Sequence, residues 1–187
     1  MYTSYYGFTK RPFSLLPNPE FLYMARQHDI ALSMLDFSML NEAGFVVVTG
    51  EIGAGKTTLV RHLLNQTQHR DITIGLVTNT HRSFGDLFQW ILNAYGIDYN
   101  DKSRVEQHQA FTDFLIDEYG NNRRVVLIID EAQNMDLEAL EELRLLSNIN
   151  ADHDQILQII LVGQPELRKK LQDPSLEQFA QRILADY

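Results

Sequence analysis

Eight consecutive residues, Gly50 to Thr57, constrain this chain more than any other segment, because Gly-Glu-Ile-Gly-Ala-Gly-Lys-Thr fits the pattern G-x-x-x-x-G-K-[ST]. The β-branched run from Phe45 to Thr49 predicts a buried strand before the loop. Apolar residues at helical spacing from Lys56 to about Gln68 predict a helix after it. Strand, glycine-rich turn and helix in this order are typical of a loop that surrounds a nucleotide phosphate with backbone N–H groups.

The chemistry of such a loop assigns a task to its last residues. The Lys56 ammonium is expected to reach the β- and γ-phosphates, and the Thr57 hydroxyl is expected to bind Mg²⁺. The helix that begins here adds a partial positive charge at its N-terminus. The residues expected to hold the nucleotide are Gly50, Glu51, Ile52, Gly53, Ala54, Gly55, Lys56, Thr57 and Thr58.

Predicted strands and helices alternate along the rest of the chain. Further strands are expected at residues 72–78, 125–129 and 156–162. Helices are expected from an N-cap at Ser83 to a stop at Gly96, and at residues 104–119, 137–146, 166–171 and 176–182. This alternation predicts an α/β fold with a parallel sheet and helices on both faces.

Two carboxylates, Asp130 and Glu131, follow the most strand-like run of the sequence. Ligands of open parallel sheets bind at the carboxyl ends of strands, so we expect Asp130 to hold Mg²⁺, directly or through water. Glu131 is expected to orient and deprotonate the attacking water. The alternative is an acidic pair that only solvates a strand end. No Asn-Lys-x-Asp segment for reading guanine occurs, which favours ATP over GTP.

Gln164 and Arg182 are further catalytic candidates. Gln164 follows the fourth predicted strand, where an amide could hold the nucleophilic water, although a plain turn residue before Pro165 fits as well. Arg182 could reach a neighbouring subunit's nucleotide as an arginine finger, or it could be a solvated cation at a helix end. Arg168 is a weaker competitor for the finger, and Arg144 is expected to pair with Glu141 on its own helix.

Residues 1–40 are expected to form an aromatic strap followed by a helix. Aromatic residues crowd the first 25 positions between prolines, which argues against a regular element there and for an extended segment that buries its rings. Phe21, Leu22 and Tyr23 could also line an adenine pocket, with His28 as a polar neighbour. The alternative for His28 is a purely structural role.

Length and composition restrict the class of protein. The chain has 187 residues, which predicts one domain, and its formal net charge of -9 argues against a broad nucleic-acid surface. It contains no cysteine, so disulfides and thiolate metal sites are excluded. No apolar stretch approaches the roughly 20 residues of a membrane helix, and no signal peptide begins the chain. We therefore expect a soluble, unexported chain.

Several motifs together resemble the ExeA/GspA-like secretion ATPases, and among them the secretion ATPases found with exosortase (PEP-CTERM) and exopolysaccharide loci. They include the aromatic residues near the N-terminus, TGEIGAGKTTL at 49–59, DEAQN at 130–134, EELRLLSN at 141–148 and LVGQPEL at 161–167. The resemblance implies an AAA+ ATPase with a sheet of order 5-1-4-3-2. It also implies a helical lid after Tyr187, so residues 1–187 are expected to be an AAA+ base domain lacking most of its lid.

Roles follow from the resemblance for individual residues. Lys56 and Thr57 correspond to the Walker A pair, and Asp130 and Glu131 to the Walker B pair. Gln164 takes the sensor-1 position, where Asn, Thr or Ser is commoner, and Arg182 takes the finger position before a fifth strand.

The implied function is Mg²⁺-dependent ATP hydrolysis that assembles or energises a secretion or exopolysaccharide export system. Expected partners are further copies of the chain and envelope components, with a cytoplasmic location or peripheral attachment to the inner membrane. One alternative is an ATP-dependent DNA-binding switch similar to the target-selection ATPases of transposition, which the low pI and the lack of a basic stripe disfavour. Another is a small-molecule kinase using Arg61, whose place in a helix looks ordinary.

Overall fold

The computed structural model describes residues 2–9, 24–40, 44–67, 71–78, 86–151 and 154–186. The helices in these ranges are α1 (Tyr2–Tyr5), α2 (Arg26–Leu40), α3 (Lys56–Thr67), α4 (Leu87–Ala94), α5 (Arg104–Gly120), α6 (Leu137–Leu146), α7 (Pro165–Leu171) and α8 (Glu177–Ala180). The strands are β1 (Phe45–Thr49), β2 (Ile72–Val77), β3 (Arg124–Ile129), β4 (Asn150–Ala151), β5 (Asp154–Gln155), β6 (Leu157–Gly163) and β7 (Ile183–Asp186). Short 3₁₀ turns occupy Ala132–Asn134 and Pro174–Leu176.

Five strands form one parallel sheet in the order β2-β3-β6-β1-β7. Counted among these five strands alone, this is the 5-1-4-3-2 order that the resemblance implies. Strand β1 lies between β6 and β7, with Val46 opposite Ile160 and Thr49 opposite Gly163. The α/β class, the parallel sheet and the fifth strand near the end of the described chain are therefore confirmed.

Alternate residues of the strands face two separate hydrophobic clusters. On the face that we call the loop face, Val46, Val126 and Ile160 pack against α2 and α3. On the opposite face, Phe45 and Leu127 pack against residues of α4 to α8. Side chains of a strand point alternately to the two sides, and both sides are apolar here, so the strands form near-continuous hydrophobic runs.

Most predicted bounds hold within one or two residues, but three details differ. Helix α4 is capped by Asp86, whose carboxylate accepts from the Phe88 N–H at 2.8 Å, whereas Ser83 lies outside the described residues. The helix expected at 176–182 consists of a 3₁₀ turn and the four-residue α8. The antiparallel pair of β4 and β5, before β6, was not expected. Two-residue strands are too short to carry an alternating pattern.

The prediction of a buried aromatic strap is wrong for the described N-terminal residues. Residues 2–5 form a short helix, and Tyr5 and Tyr6 are 83% and 65% exposed. The rings of Tyr5 and Tyr6 contact one another edge to face, and the ring of Tyr6 contacts Phe8. These aromatic rings therefore pack against one another at the surface. Phe13, Phe21, Leu22 and Tyr23 lie outside the described residues. None of the helices in the described ranges has the length and apolar character that a bilayer crossing requires.

Candidate functional site

The candidate site lies at the carboxyl edge of the sheet, where β1, β6 and β3 end side by side. The glycine-rich loop follows β1, the Asp130–Glu131 pair follows β3, and Gln164 follows β6. The parallel register brings these ends together, and the Gly50 N–H donates to the Gly163 carbonyl at 3.1 Å. Segments more than 70 residues apart in sequence, Gly50 and Asp130 among them, therefore meet at one edge.

The loop turns tightly around its own backbone. Gly53 and Gly55 have φ angles of 79° and 84°, in the left-handed region that glycine adopts without strain. The Ala54 N–H donates to the Glu51 carbonyl at 3.1 Å. The Lys56 ammonium donates to the carbonyls of Gly50 at 2.7 Å and Glu51 at 3.0 Å. The Lys56 side chain thus folds back over the loop that precedes it, and its ammonium lies at the Gly50 and Glu51 carbonyls.

Thr57 and Asp130 meet across the site. The Thr57 hydroxyl donates to Oδ2 of Asp130 at 2.9 Å, and Oδ1 of Asp130 accepts from the Glu131 N–H at 2.9 Å. Asp130 is only 4% exposed, so its carboxylate is held in one place by packing and hydrogen bonds. A hydroxyl and a carboxylate side by side are the hard oxygen ligands that Mg²⁺ prefers, and this donor set fits the ion.

No cluster of three or more His, Asp or Glu ligands for a metal occurs in the part of the chain that the structure describes.

Glu131 occupies an unusual backbone position. Its φ and ψ angles are 55° and 35°, in the left-handed region, where a residue other than glycine is uncommon. Its Oε2 accepts from the Gln133 side-chain amide at 2.6 Å and lies 3.5 Å from the Gln164 amide nitrogen. The Gln164 backbone N–H in turn donates to Oε1 of Gln133 at 3.0 Å. Gln133 thus lies between the two predicted residues.

Sequence reasoning did not select Gln133 as a site residue. Its only signal is its place in the DEAQN segment, two residues after Glu131. Nothing in that spacing shows that its amide turns back to the carboxylate.

His28 touches the glycine-rich loop from α2. Its Nε2 lies 2.8 Å from the Ala54 carbonyl, and a Cβ on Gly55 would come within 3.2 Å of the same nitrogen. Its Nδ1 is buried and has no hydrogen-bond partner among the described residues. The structure therefore places His28 against the loop, whereas Phe21, Leu22 and Tyr23, the residues expected beside it at an adenine pocket, lie outside the described residues.

Arg182 immediately precedes β7, so it lies at the amino edge of the sheet, opposite the edge that carries the site, and it contacts the C-terminal end of α6. Its Nη1 donates to the Ser147 hydroxyl at 3.0 Å. The predicted pair of Arg144 and Glu141 is present at 2.7 Å. The hydrogen bond from Arg144, with a smaller contribution from the charge of Arg182, holds the pKa of Glu141 below its ordinary value. Arg168 and Arg61 lie on exposed faces of α7 and α3.

One known protein matches this chain in sequence over its whole length. General secretion pathway protein A of Aeromonas hydrophila is 38% identical over 188 residues, which cover 100% of this chain and 34% of that protein. The chain thus spans about a third of that relative's length.

Two solved structures share the fold at low identity. The Aeropyrum pernix ORC2 protein in ADPNP–ADP complexes matches with a TM-score of 0.67 and 18% identity, over 94% of this chain and 50% of that one. Drosophila ORC bound to DNA matches with a TM-score of 0.63 and 16% identity, over 86% of this chain and 42% of that one. The AAA domain family matches residues 39–171. This range includes the loop, both carboxylates and Gln164, and the chain belongs to the AAA domain family.

Proposed function

We propose that this chain binds ATP with Mg²⁺ and hydrolyses it. The observation that carries the proposal is the hydrogen bond of 2.9 Å between Thr57 and Asp130, which unites the end of the glycine-rich loop with the end of β3. Two oxygens suited to magnesium therefore lie at the N-terminus of α3, which begins at Lys56. Membership of the AAA domain family and the nucleotide complexes of ORC2 support the same proposal.

Each residue then has a task. The loop N–H groups and Lys56 bind the phosphates, since they offer positive charge and donors at one point. Thr57 and Asp130 would hold Mg²⁺, which supplies charge stabilisation to the phosphates when it is bound. Glu131 accepts the proton of the attacking water as general base, and Gln164 orients that water.

We also propose that the active site is completed between copies of the chain. Arg182 is half-buried against α6, and its guanidinium has one described donor contact, to Ser147. A guanidinium carries five donors, so most of its donor capacity remains for a phosphate of a neighbouring subunit. In this arrangement ATP favours the homo-oligomer, and Arg182 acts as the arginine finger.

The cellular role we propose is support of a secretion or exopolysaccharide export system. The support comes from the 38% identity with general secretion pathway protein A over the whole of this chain, together with the motif resemblance. The partners would be envelope export components. The chain would work in the cytoplasm or at the inner membrane surface, through those partners or through regions outside residues 1–187.

A second candidate is the ATP-dependent DNA-binding switch. The similarity in fold to ORC proteins, one of them solved with DNA, is the observation that favours it. The formal net charge of -9 opposes it. If the chain retards duplex DNA only with ATP, and the retardation weakens as salt rises, this candidate replaces the export role.

The deciding experiment is the specific ATPase rate over about a hundredfold range of protein concentration. The variants Lys56→Ala and Arg182→Ala are measured alongside. A rate per subunit that climbs with concentration in the wild type and stays flat in Arg182→Ala supports a shared site. Loss of the ATP-induced rise in melting temperature in Lys56→Ala supports the loop assignment. An unchanged rise in that variant contradicts it.

A further inference from the structure

Gln133 makes several hydrogen bonds in the candidate site and has no assigned task. Its amide group uses both ends: Nε2 donates to Glu131 Oε2 at 2.6 Å, and Oε1 accepts from the Gln164 N–H at 3.0 Å. One amide therefore joins Glu131, in the turn that follows β3, to Gln164, the residue after β6.

The backbone around Gln133 is also fixed by hydrogen bonds. The Lys170 ammonium on α7 donates to the Gln133 carbonyl at 2.6 Å and also to the Met135 carbonyl. The Met135 N–H donates to Ala132, closing the 3₁₀ turn. Gln133 thus connects Glu131 to α7, the helix that follows Gln164.

Gly163 leaves the space in which Gln133 sits. A Cβ at this position would lie 2.9 Å from Gln133 Oε1 and 3.3 Å from its backbone nitrogen. The first distance is shorter than real Cβ contacts, so a side chain there would push the amide away. The glycine at position 163 therefore lets β6 approach the 3₁₀ turn that carries Gln133 closely enough for these contacts.

We propose that Gln133 is a positioning residue for hydrolysis, which holds the Glu131 carboxylate in its working orientation and ties that orientation to α7. Glu131 has several rotatable bonds, and a donor whose own amide is bonded at both ends limits the positions that its carboxylate takes. Gln164 cannot replace this donor, because its amide nitrogen is 3.5 Å away, at the outer limit of a hydrogen bond. This inference rests on the proposed role of Glu131 as general base.

The kinetic test compares Gln133→Ala and Gln133→Met with the wild type in Mg-ATP. Methionine keeps the length of the side chain without its donor, so it guards against loss of folding. We expect kcat to fall about tenfold in both variants while the ATP dissociation constant stays within about twofold, because only the hydrolysis step uses Glu131. Gln109→Ala is the matched control, since Gln109 also donates to a carboxylate, that of Asp113 at 2.7 Å, on the exposed side of α5.

A second readout needs no turnover. The side-chain amide signals of Gln133 in a ¹H–¹⁵N spectrum, assigned by their loss in Gln133→Met, should shift when Glu131→Ala removes the carboxylate. Unmoved signals would overturn the inference. So would a kcat within about twofold of the wild type, a raised kcat, or an affinity for ATP that falls along with kcat. If the wild type binds ATP without hydrolysing it, the hydrolysis part of the proposed function fails, and the positioning role for hydrolysis fails with it. The amide signals still decide whether Gln133 holds Glu131.

Discussion

The two faces of the sheet differ in how they are covered. On the opposite face, α4 to α8 enclose a continuous cluster that includes the fully buried rings of Phe45, Phe88 and Phe111. On the loop face, the described cluster is smaller and lies under α2 and α3, and Phe37 on α2 is 62% exposed. The glycine-rich loop joins β1 to α3 on this side. Among the described residues, the larger buried cluster therefore lies on the opposite face, while the candidate site lies at the carboxyl edge of the sheet.

The largest expected effect tests the opposite face. Phe111 is fully buried, and its ring contacts Phe88 edge to face with centroids 5.7 Å apart. We expect Phe111→Ala to lower the free energy of unfolding by about 3–5 kcal/mol, because a large cavity forms in a closed cluster. Denaturant unfolding measures the loss. ATP affinity of the remaining folded molecules should not change; a loss of affinity in the folded fraction would contradict the separation of the two faces.

The next effect tests the edge. Glu131→Gln should reduce kcat about a hundredfold or more, since the amide cannot accept the proton of the attacking water. Melting temperature and ATP binding should stay near the wild-type values, because the side chain is not part of either cluster. Single-turnover ATPase measurements and thermal melts give the two numbers. A strong loss of stability would show that the edge and the core are not separable.

A smaller effect is expected where α2 meets the loop. His28→Ala removes the contact with the Ala54 carbonyl at 2.8 Å, and a single hydrogen bond contributes about 0.5–1.5 kcal/mol. We expect ATP affinity to fall by about tenfold or less, measured by titration calorimetry. His62→Ala is the control, because His62 lies on α3 and contacts Gln66 at 3.0 Å. Equal affinity in both variants would remove His28 from the site.

The smallest effect concerns the edge of the sheet away from the loop. The hydrogen bond from Arg123 to Glu118 holds the pKa of Glu118 below its ordinary value, and Thr73 also donates to this carboxylate. The lowered pKa means that the contact stabilises the fold at neutral pH. This stability is lost as pH falls below about 4.5 and through the lower folded-state pKa.

Glu118→Gln should therefore melt about 2 °C below the wild type at pH 7, with the gap closing at acid pH. Thermal melts between pH 3 and pH 7 test it. A difference in melting temperature between the two proteins that grows at acid pH would contradict the stabilising role of the ionised Glu118 side chain.

Hydrophobic runs made most of the fold predictable. Four strands of the sheet, β1, β2, β3 and β6, are short and strongly apolar, so their positions could be predicted from the sequence alone, while the fifth, β7, was expected from the resemblance. The cap of α4 shows where such reading stops. Ser83 and Asp86 are both residue types that cap helices, and Asp86 is the cap that the structure shows. The Asp86 carboxylate also forms an ion pair with Arg104. That arginine comes from α5, and helical spacing contains no information about it.

The candidate site also has residues that could be predicted from the sequence and features that could not. Lys56, Thr57, Asp130 and Glu131 could be selected from sequence, since the motif and the strand ends specify which residue types stand where. The contact between Thr57 and Asp130 confirms that the two segments meet. The exposure of Tyr5 and Tyr6 could not be foreseen, because aromatic composition does not show which surface is available to bury a ring.

The sequence by itself determined the alternation of the main strands and helices, the glycine-rich loop and the placing of carboxylates after β3, because each depends on neighbours in the chain. Only the tertiary structure decided that Gln133 holds Glu131 beside Gln164, and that His28 reaches the loop. Apart from the bond between Gln133 and Glu131, those contacts join residues 26 to 33 positions apart, such as His28 and Ala54 or Glu131 and Gln164. They depend on how parallel strands align and how helices lie across them, which no local pattern specifies.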